Sequence, residues 1–536
     1  MSWKTVKKLR VILSLIFFVA TFLLFIDLKN LFSPYSEPIL FFQFLPSLLK
    51  FIALLSFSAI GFLIIIILTS LFGRAYCSSV CPLGTLQDIT TYITRRLKKK
   101  PKRKKFFHYF QPQNWWRYGI LVVCIVSFLA GFNFVLNLLD PYSNFGRFTT
   151  NFAKPVIIFL NNGLVKILES FNIYFIFPVE YRSIIWIQLI FPVLMFGLVI
   201  WLSIQYGRLY CNTVCPVGTL LGIISKKSFY KLVIDQSACN NCGQCVYNCK
   251  SACINKEAQK IDYSRCVLCF NCFQSCSKDA IYFKNPFFRK KSIKLEPIFE
   301  EVDLNKRKFL AGSLILLSNM SGSQILKDTL IQKKPIVVNL PSTVPVNREF
   351  PVVPPGAKSL DHFNKYCIAC TLCVSACPDH VLQPSFLQYG IEGMMQPFMD
   401  YNSGFCNYDC KICSEVCPTG AIELIHVLEN KQTIQMGKSK FIKENCVVHT
   451  EGTDCGACSE HCPTKAVNMV PYEDTGLFIP EVNEDICVGC GACEYPCPTR
   501  PYRAIYVEGN PEHMVAEKPI IEEIEEVELG EEEFPF

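Results

Sequence analysis

The stretch YGRLYCNTVCPVG, residues 206–218, follows a strongly apolar run, and FGRAYCSSVCPLG, residues 72–84, follows another. Arg74, Cys77, Cys81, Pro82 and Gly84 recur at a constant offset as Arg208, Cys211, Cys215, Pro216 and Gly218. One such cysteine pair is half of a tetrathiolate. Two hairpins packed about a pseudo-twofold axis would bring the pairs together. Cys77, Cys81, Cys211 and Cys215 would then hold one further iron or iron–sulfur centre, or a mononuclear metal. The proline is expected to stop a helix and the glycine to permit a tight backbone. Arg74 and Arg208 would lower the cost of burying thiolate charge. Two separate CxxxC disulfides, or free thiols, are the alternative reading.

The chain has 536 residues, 51% hydrophobic, with 30 cysteines and a formal net charge of +8. The apolar residues crowd the first 205 positions and most cysteines lie in 239–497. A membrane span needs about 20 mostly apolar residues, and four segments qualify: 10–27, 49–72, 116–138 and 184–205. Lys4, Lys7, Lys8 and Arg10 precede the first. The run Arg95–Lys105, nine of whose eleven residues are Lys or Arg, follows the second, and Lys226, Lys227 and Lys231 follow the fourth. The positive-inside rule puts all three groups in the cytoplasm and the loops 28–48 and 139–183 outside. A basic run between two spans reads as a cytoplasmic loop, so no nucleic-acid partner is expected.

The remaining cysteines are stereotyped. CNNCGQCVYNC at 239–249 and CVLCFNCFQSC at 266–276 are both CxxCxxCxxxC, the bacterial ferredoxin run, in which the fourth cysteine ligates the other run's cluster. One 4Fe-4S cluster is expected on Cys239, Cys242, Cys245 and Cys276, another on Cys266, Cys269, Cys272 and Cys249. Four more runs follow. Those starting at Cys367 and Cys487 are regular, that at Cys406 has one extra residue in its first gap, and that at Cys446 has a long first gap. Regular runs outside and irregular runs inside suggest nested pairing. On that reading the sets are Cys367, Cys370, Cys373 and Cys497; Cys487, Cys490, Cys493 and Cys377; Cys406, Cys410, Cys413 and Cys462; and Cys446, Cys455, Cys458 and Cys417. Six 4Fe-4S clusters result. Cys124, inside the third span, is expected to pack, and Cys253 to be a bystander. Zinc sites use separated CxxC pairs and are disfavoured. There is no CxxCH and no histidine in a span, so no haem is expected, and no GxGxxG or Walker loop, so no nucleotide.

The expected fold is mixed: an N-terminal α-helical transmembrane bundle of four spans as two repeated hairpins, followed by α+β bacterial-ferredoxin-like iron–sulfur domains. The division is 1–235 for the membrane domain and 236–285 for a cytoplasmic two-cluster domain. Residues 300–330 form either a fifth span or a twin-arginine-like signal, since Lys306-Arg307-x-Phe309-Leu310 precedes an apolar stretch. A Pro-rich linker at 331–360, a four-cluster module at 361–512 and an acidic tail at 513–536 complete it.

The first 280 residues resemble the NapH/NosR-type membrane polyferredoxins, which share the GRxYCxxxCPxG repeats and the element Asp140-Pro141-Tyr142-Ser143. The stretch from about 305 resembles the NapG-type four-cluster ferredoxins, with the KRxFL signal, Pro354-Pro355-Gly356-Ala357 and the CPTGAI after the second run. The resemblance implies a bacterial inner-membrane protein carrying electrons from the quinol pool or a cytoplasmic donor to a partner reductase, with the C-terminal module periplasmic. The alternative is a CcoG-type maturation or sensing factor that reduces a metal or thiol. No nucleophile–base constellation suggests catalysis beyond electron transfer. For a quinol site the sequence offers only Asp140 as a proton acceptor, against its reading as an Asp-Pro turn.

Overall fold

The computed structural model describes residues 3–55, 59–97, 107–182, 186–284 and 343–518. The expected signal segment at 300–330, the linker up to residue 342, most of the basic run Arg95–Lys105 and the acidic tail from residue 519 lie outside the described residues.

Two of the four expected spans are long apolar helices, Trp3–Ile26 and Trp186–Tyr206. The other two are broken. The expected span 49–72 is two helices, Phe44–Leu54 and Gly61–Phe72, and Phe44–Leu54 meets the preceding Ser33–Phe41 segment at a 98° bend. Broken backbone at membrane depth is tolerated only where its polar groups are satisfied. Ser47 does this here, donating from Oγ to the Ala59 carbonyl at 2.7 Å and accepting the Phe62 N–H at 3.0 Å. The expected span 116–138 likewise ends early, as Asn114–Leu129, with Gly131 at φ +79° before a short helix Phe134–Leu139.

The expected outer loop 139–183 is largely helical. Pro141–Phe148 continues through a π-helical turn, Thr149–Ala153, into Lys154–Ser170. Asp140 caps its start: Oδ2 accepts the Ser143 N–H at 2.7 Å and hydroxyl at 2.8 Å, and proline at the first helical position removes an N–H that would be orphaned. The two repeats pack crosswise. Gly61–Phe72 lies on Pro216–Lys226, and Ile190–Tyr206 lies on Pro82–Leu97.

The first ferredoxin domain pairs strand Lys231–Ile234 antiparallel with Ile281–Lys284, and Ile254–Asn255 with Lys260–Ile261, around its own core. The C-terminal module is built from antiparallel pairs: Leu382–Pro384 with Pro397–Met399, Ile434–Phe441 with Ile505–Val515, and Val467–Tyr472 with Leu477–Val482. Both modules meet the bundle, at opposite ends of one helix. Near the start of Trp3–Ile26, Lys7 donates to Gln274 of the first domain. Near its end, the Phe25 carbonyl accepts the Ser375 hydroxyl of the C-terminal module. At 1.5 Å per residue those 24 residues span about 36 Å, against a bilayer core of about 30 Å.

Candidate iron–sulfur sites

The four thiols of the CxxxCP repeats are buried, each 3–4% exposed, and lie within electrostatic reach of one another. Cys77 sits in the short helix Tyr76–Ser79 and Cys211 in Leu209–Thr213. The proline was expected to stop a helix. It starts one instead: Pro82–Leu97 and Pro216–Lys226 begin there, because a fixed φ suits the first turn. Cys215 thereby occupies the N-cap, its sulfur accepting the Gly218 N–H at 3.3 Å. Orphan N–H groups and the helix dipole at that end favour a thiolate. Burial pushes the Cys81 and Cys215 thiols up, so a cationic metal core is what would hold them ionised.

Each arginine of the motif reaches across to the other repeat. Arg74 Nη2 donates to the Cys211 carbonyl at 2.9 Å and lies 3.7 Å from Cys77 Sγ. Arg208 Nη1 donates to the Cys77 carbonyl at 2.5 Å. The motif glycine makes room for this crossing. A Cβ on Gly84 would lie 2.8 Å from Arg208 Nη1, and one on Gly218 would lie 2.9 Å from Arg74 Nη2, both also overlapping a cysteine carbonyl.

The counter-charges are not symmetric. Arg208 pairs with Asp88 at 2.9 Å, and Asp88 also takes Lys250 at 3.2 Å and Arg10 at 3.7 Å. Burial alone would raise the Asp88 carboxyl, but Arg208 and Lys250 outweigh it and hold it well below the usual carboxylate range. The second repeat has Gly222 in the equivalent place. Arg74, with no exposure, donates instead to Asn212 Oδ1 at 2.9 Å and the Ser264 carbonyl at 3.0 Å. Burial works against its charge, yet the Cys77 and Cys211 thiolates hold it above the usual guanidinium value. A buried cation without a carboxylate requires negative charge from the thiol site itself. Repeat-matching in the sequence singled out the arginines but not Asp88, Asn212 or Lys250. The one signal for Asp88 was that it breaks the repeat.

In all four regular ferredoxin runs the residues flanking the second cysteine have positive φ: Asn241 and Gly243, Leu268 and Phe270, Ala369 and Thr371, Gly489 and Gly491. Such a backbone turns successive N–H groups inward, an arrangement that suits an anionic metal–sulfur core. Past the fourth cysteine the chain also folds back. The N–H groups of Ala280, Ile422 and Ala466 donate to the sulfurs of Cys276, Cys417 and Cys462 at 3.2–3.3 Å. Among the described residues no three Cys, His, Asp or Glu side chains converge as a single bare ion would require. The all-cysteine donor sets, with backbone N–H groups donating to their sulfurs, fit 4Fe-4S clusters, in which thiolates stand around a larger core.

In the first domain Cys239, Cys242, Cys245 and Cys276 line one hollow, and Cys249, Cys266, Cys269 and Cys272 another. The nested partition of the last sixteen cysteines is not what the structure has. Cys417 lies with Cys367, Cys370 and Cys373; Cys377 with Cys406, Cys410 and Cys413; Cys497 with Cys446, Cys455 and Cys458; and Cys462 with Cys487, Cys490 and Cys493. Neighbouring runs pair because each regular run folds with the irregular run beside it into one local ferredoxin unit. Cys124 is buried in its helix as expected. Cys253, expected to be a bystander, is buried 3.5 Å from the Cys249 sulfur and also contacts Cys266.

The thiol sets form a series. The loops holding Cys249 and Cys266 meet the CxxxCP site through Lys250, through the Ser251 carbonyl that accepts from Asn212 at 3.1 Å, and through Ser264. On the other side, Tyr210 donates to the Leu139 carbonyl at 2.8 Å and accepts from Asn144 at 3.3 Å. Two residues after Asn144, Gly146 lies directly under the Cys370 carbonyl. Within the C-terminal module the Cys406 N–H donates to the Cys490 carbonyl at 2.9 Å. Asp140 is fully buried on this path as a helix cap rather than at an open surface.

A family model described as a 4Fe-4S binding domain matches residues 55–101 and again 188–232, once on each CxxxCP repeat. Models described as 4Fe-4S dicluster domains match 366–422 and 453–500. Two uncharacterised proteins of Methanocaldococcus jannaschii are each 26% identical, over 41% and 42% of this chain and 68% and 79% of their own lengths. The ferredoxin-type protein NapH of Escherichia coli is 25% identical over 41% of this chain and 65% of its own length, and that of Haemophilus influenzae 24% identical over 42% and 68%. No solved structure matches the chain.

Proposed function

We propose that this chain, a NapH-type polyferredoxin, is a membrane electron conduit with one cluster-bearing module on each side of the bilayer. Iron–sulfur clusters held by the thiol sets would supply one-electron transfer, with potentials tuned by burial and by hydrogen bonds to sulfur. The observation that carries the proposal is the helix Trp3–Ile26, long enough to cross a bilayer, with Lys7 against the first domain and Phe25 against the C-terminal module. The basic residues Lys4, Lys7, Lys8 and Arg10 at its start favour a cytoplasmic first domain. The C-terminal module is then periplasmic, a placement that the twin-arginine-like residues Lys306 and Arg307 support. Its proposed partner is a reductase, and the donor is the quinol pool or a cytoplasmic protein.

The chain's own residues then have distinct tasks. Cys77, Cys81, Cys211 and Cys215 hold a seventh iron–sulfur centre between the modules. Arg74 and Arg208 balance its thiolate charge and lock the two repeats together, and Asp88 fixes Arg208. Tyr210, Asn144 and Gly146 bring the CxxxCP site and the Cys370 loop into van der Waals continuity.

The test is sidedness. A compartment-sensitive reporter after Phe536 is compared with one in the Arg95–Lys105 loop, in cells with and without twin-arginine export. An external C-terminus that depends on that export is the expected result. A cytoplasmic C-terminus in both strains would overturn the conduit and leave a cytoplasmic redox or maturation role.

A further inference from the structure

Where the bundle meets the C-terminal module, Lys154 and Arg182 line one pocket with Ile158, Tyr181, Ser375 and His380. Among the described residues Lys154 Nζ donates to uncharged oxygens: the Ser375 carbonyl at 2.5 Å, its hydroxyl at 3.0 Å and the Asp27 carbonyl at 3.2 Å. Among the described residues Arg182 donates to Asn151 Oδ1, at 2.9 Å, and its other guanidinium N–H groups have no carboxylate within salt-bridge distance. The nearby Asp27 carboxylate is engaged by the backbone N–H groups of Lys29 and Phe32. Two largely buried cations share this recess and repel one another; burial lowers the Lys154 ammonium although the Asp27 carboxylate partly offsets it, and an anion between the two would relieve what remains.

The surroundings indicate where that anion comes from. The helix Lys154–Ser170 leaves Val156, Phe159, Leu160 and Ile167 each more than half exposed, at 57–67%. The segment after it exposes Tyr174, Phe175, Tyr181 and Trp186, and exposed tyrosine and tryptophan mark the level of lipid headgroups. A cationic pocket thus opens beside an apolar face and inside an aromatic belt.

We propose that an anionic phospholipid binds here, its phosphate on Arg182 and Lys154 and its chains along the Val156–Ile167 face. Lys154 belongs to the bundle and Ser375 to the C-terminal module, so the lipid seals the joint between them. This holds whichever way electrons run.

The full chain, purified in detergent, is offered equal phosphatidylglycerol and phosphatidylcholine and examined by native mass spectrometry. Wild type is expected to retain phosphatidylglycerol selectively, and Arg182→Gln to retain about tenfold less, with Arg182→Lys in between. Arg182 lies outside every thiol set, so unchanged iron content shows that the variant is folded. Equal retention of both lipids, undiminished phosphatidylglycerol on Arg182→Gln, or its displacement by millimolar inorganic phosphate would each overturn the proposal. The last outcome would assign the pocket to a free anion.

Discussion

The guanidinium of Arg74 donates to the carbonyl of Cys211, 2.9 Å away in the opposite repeat. With no carboxylate beside it among the described residues, Arg74 is the charge partner of the thiol site, where Arg208 already has Asp88. Arg74→Gln removes positive charge from beside the thiols and should lower the reduction potential of the proposed CxxxCP centre, through a free-energy change of roughly 1.5–3 kcal/mol as for a charged hydrogen bond. Redox titration followed by electron paramagnetic resonance checks this, with the ferredoxin-type signals as internal reference. An unchanged potential would assign Arg74 to packing alone.

Gly84→Ala and Gly218→Ala place a methyl group on the path of the crossing arginines. Overpacking of this kind costs about 1–3 kcal/mol. Both variants are expected to lower the melting temperature and the iron bound at the CxxxCP site, whereas Gly163→Ala, with nothing near its Cβ position, should be silent.

The pairing of ligands is testable by counting. Cys367→Ser and Cys417→Ser share one set in the structure, so the double variant should lose the same single cluster as either alone. Iron analysis showing two clusters lost would restore the nested pairing.

Asp88 is a carboxylate buried among Arg208, Lys250 and Arg10. Its folded pKa is depressed, so its contribution is complete above the ordinary carboxylate range and is lost as pH falls through the folded value. Asp88→Asn leaves those cations without their partner and should destabilise the chain by about 3–5 kcal/mol. That gap should stay constant from about pH 5 to about pH 9. Thermal unfolding across the range checks it; a gap that closes near neutrality would mean that Asp88 is protonated there.

Cys253 lines the same hollow as Cys249, Cys266, Cys269 and Cys272, and only the CxxCxxCxxxC spacing leaves it out of the expected ligand set. Cys253→Ala should keep full iron content, and Cys249→Ala should not. A loss of iron in Cys253→Ala would make it a ligand.

The sequence by itself determined the motifs: ligand spacing is a local property, so the ferredoxin runs, the repeated CxxxCP motif and its two arginines were legible, whereas the crossing of those arginines between repeats was not. It also determined that Trp3–Ile26 and the stretch ending at Tyr206 are apolar enough to span. Only the tertiary structure decided which fourth cysteine joins which run, since Cys377, Cys417, Cys462 and Cys497 all follow the same local pattern and differ only in what folds beside them. It also decided that the segments 49–72 and 116–138 break; in the first, Ser47 satisfies the broken backbone from a position that hydropathy does not weigh, and in the second Gly131 turns the chain. Asp88 escaped notice for the same reason. Its importance lies in the three cations that meet it, drawn from Arg10, Arg208 and Lys250 across the whole first half of the chain, and no window of sequence contains them together.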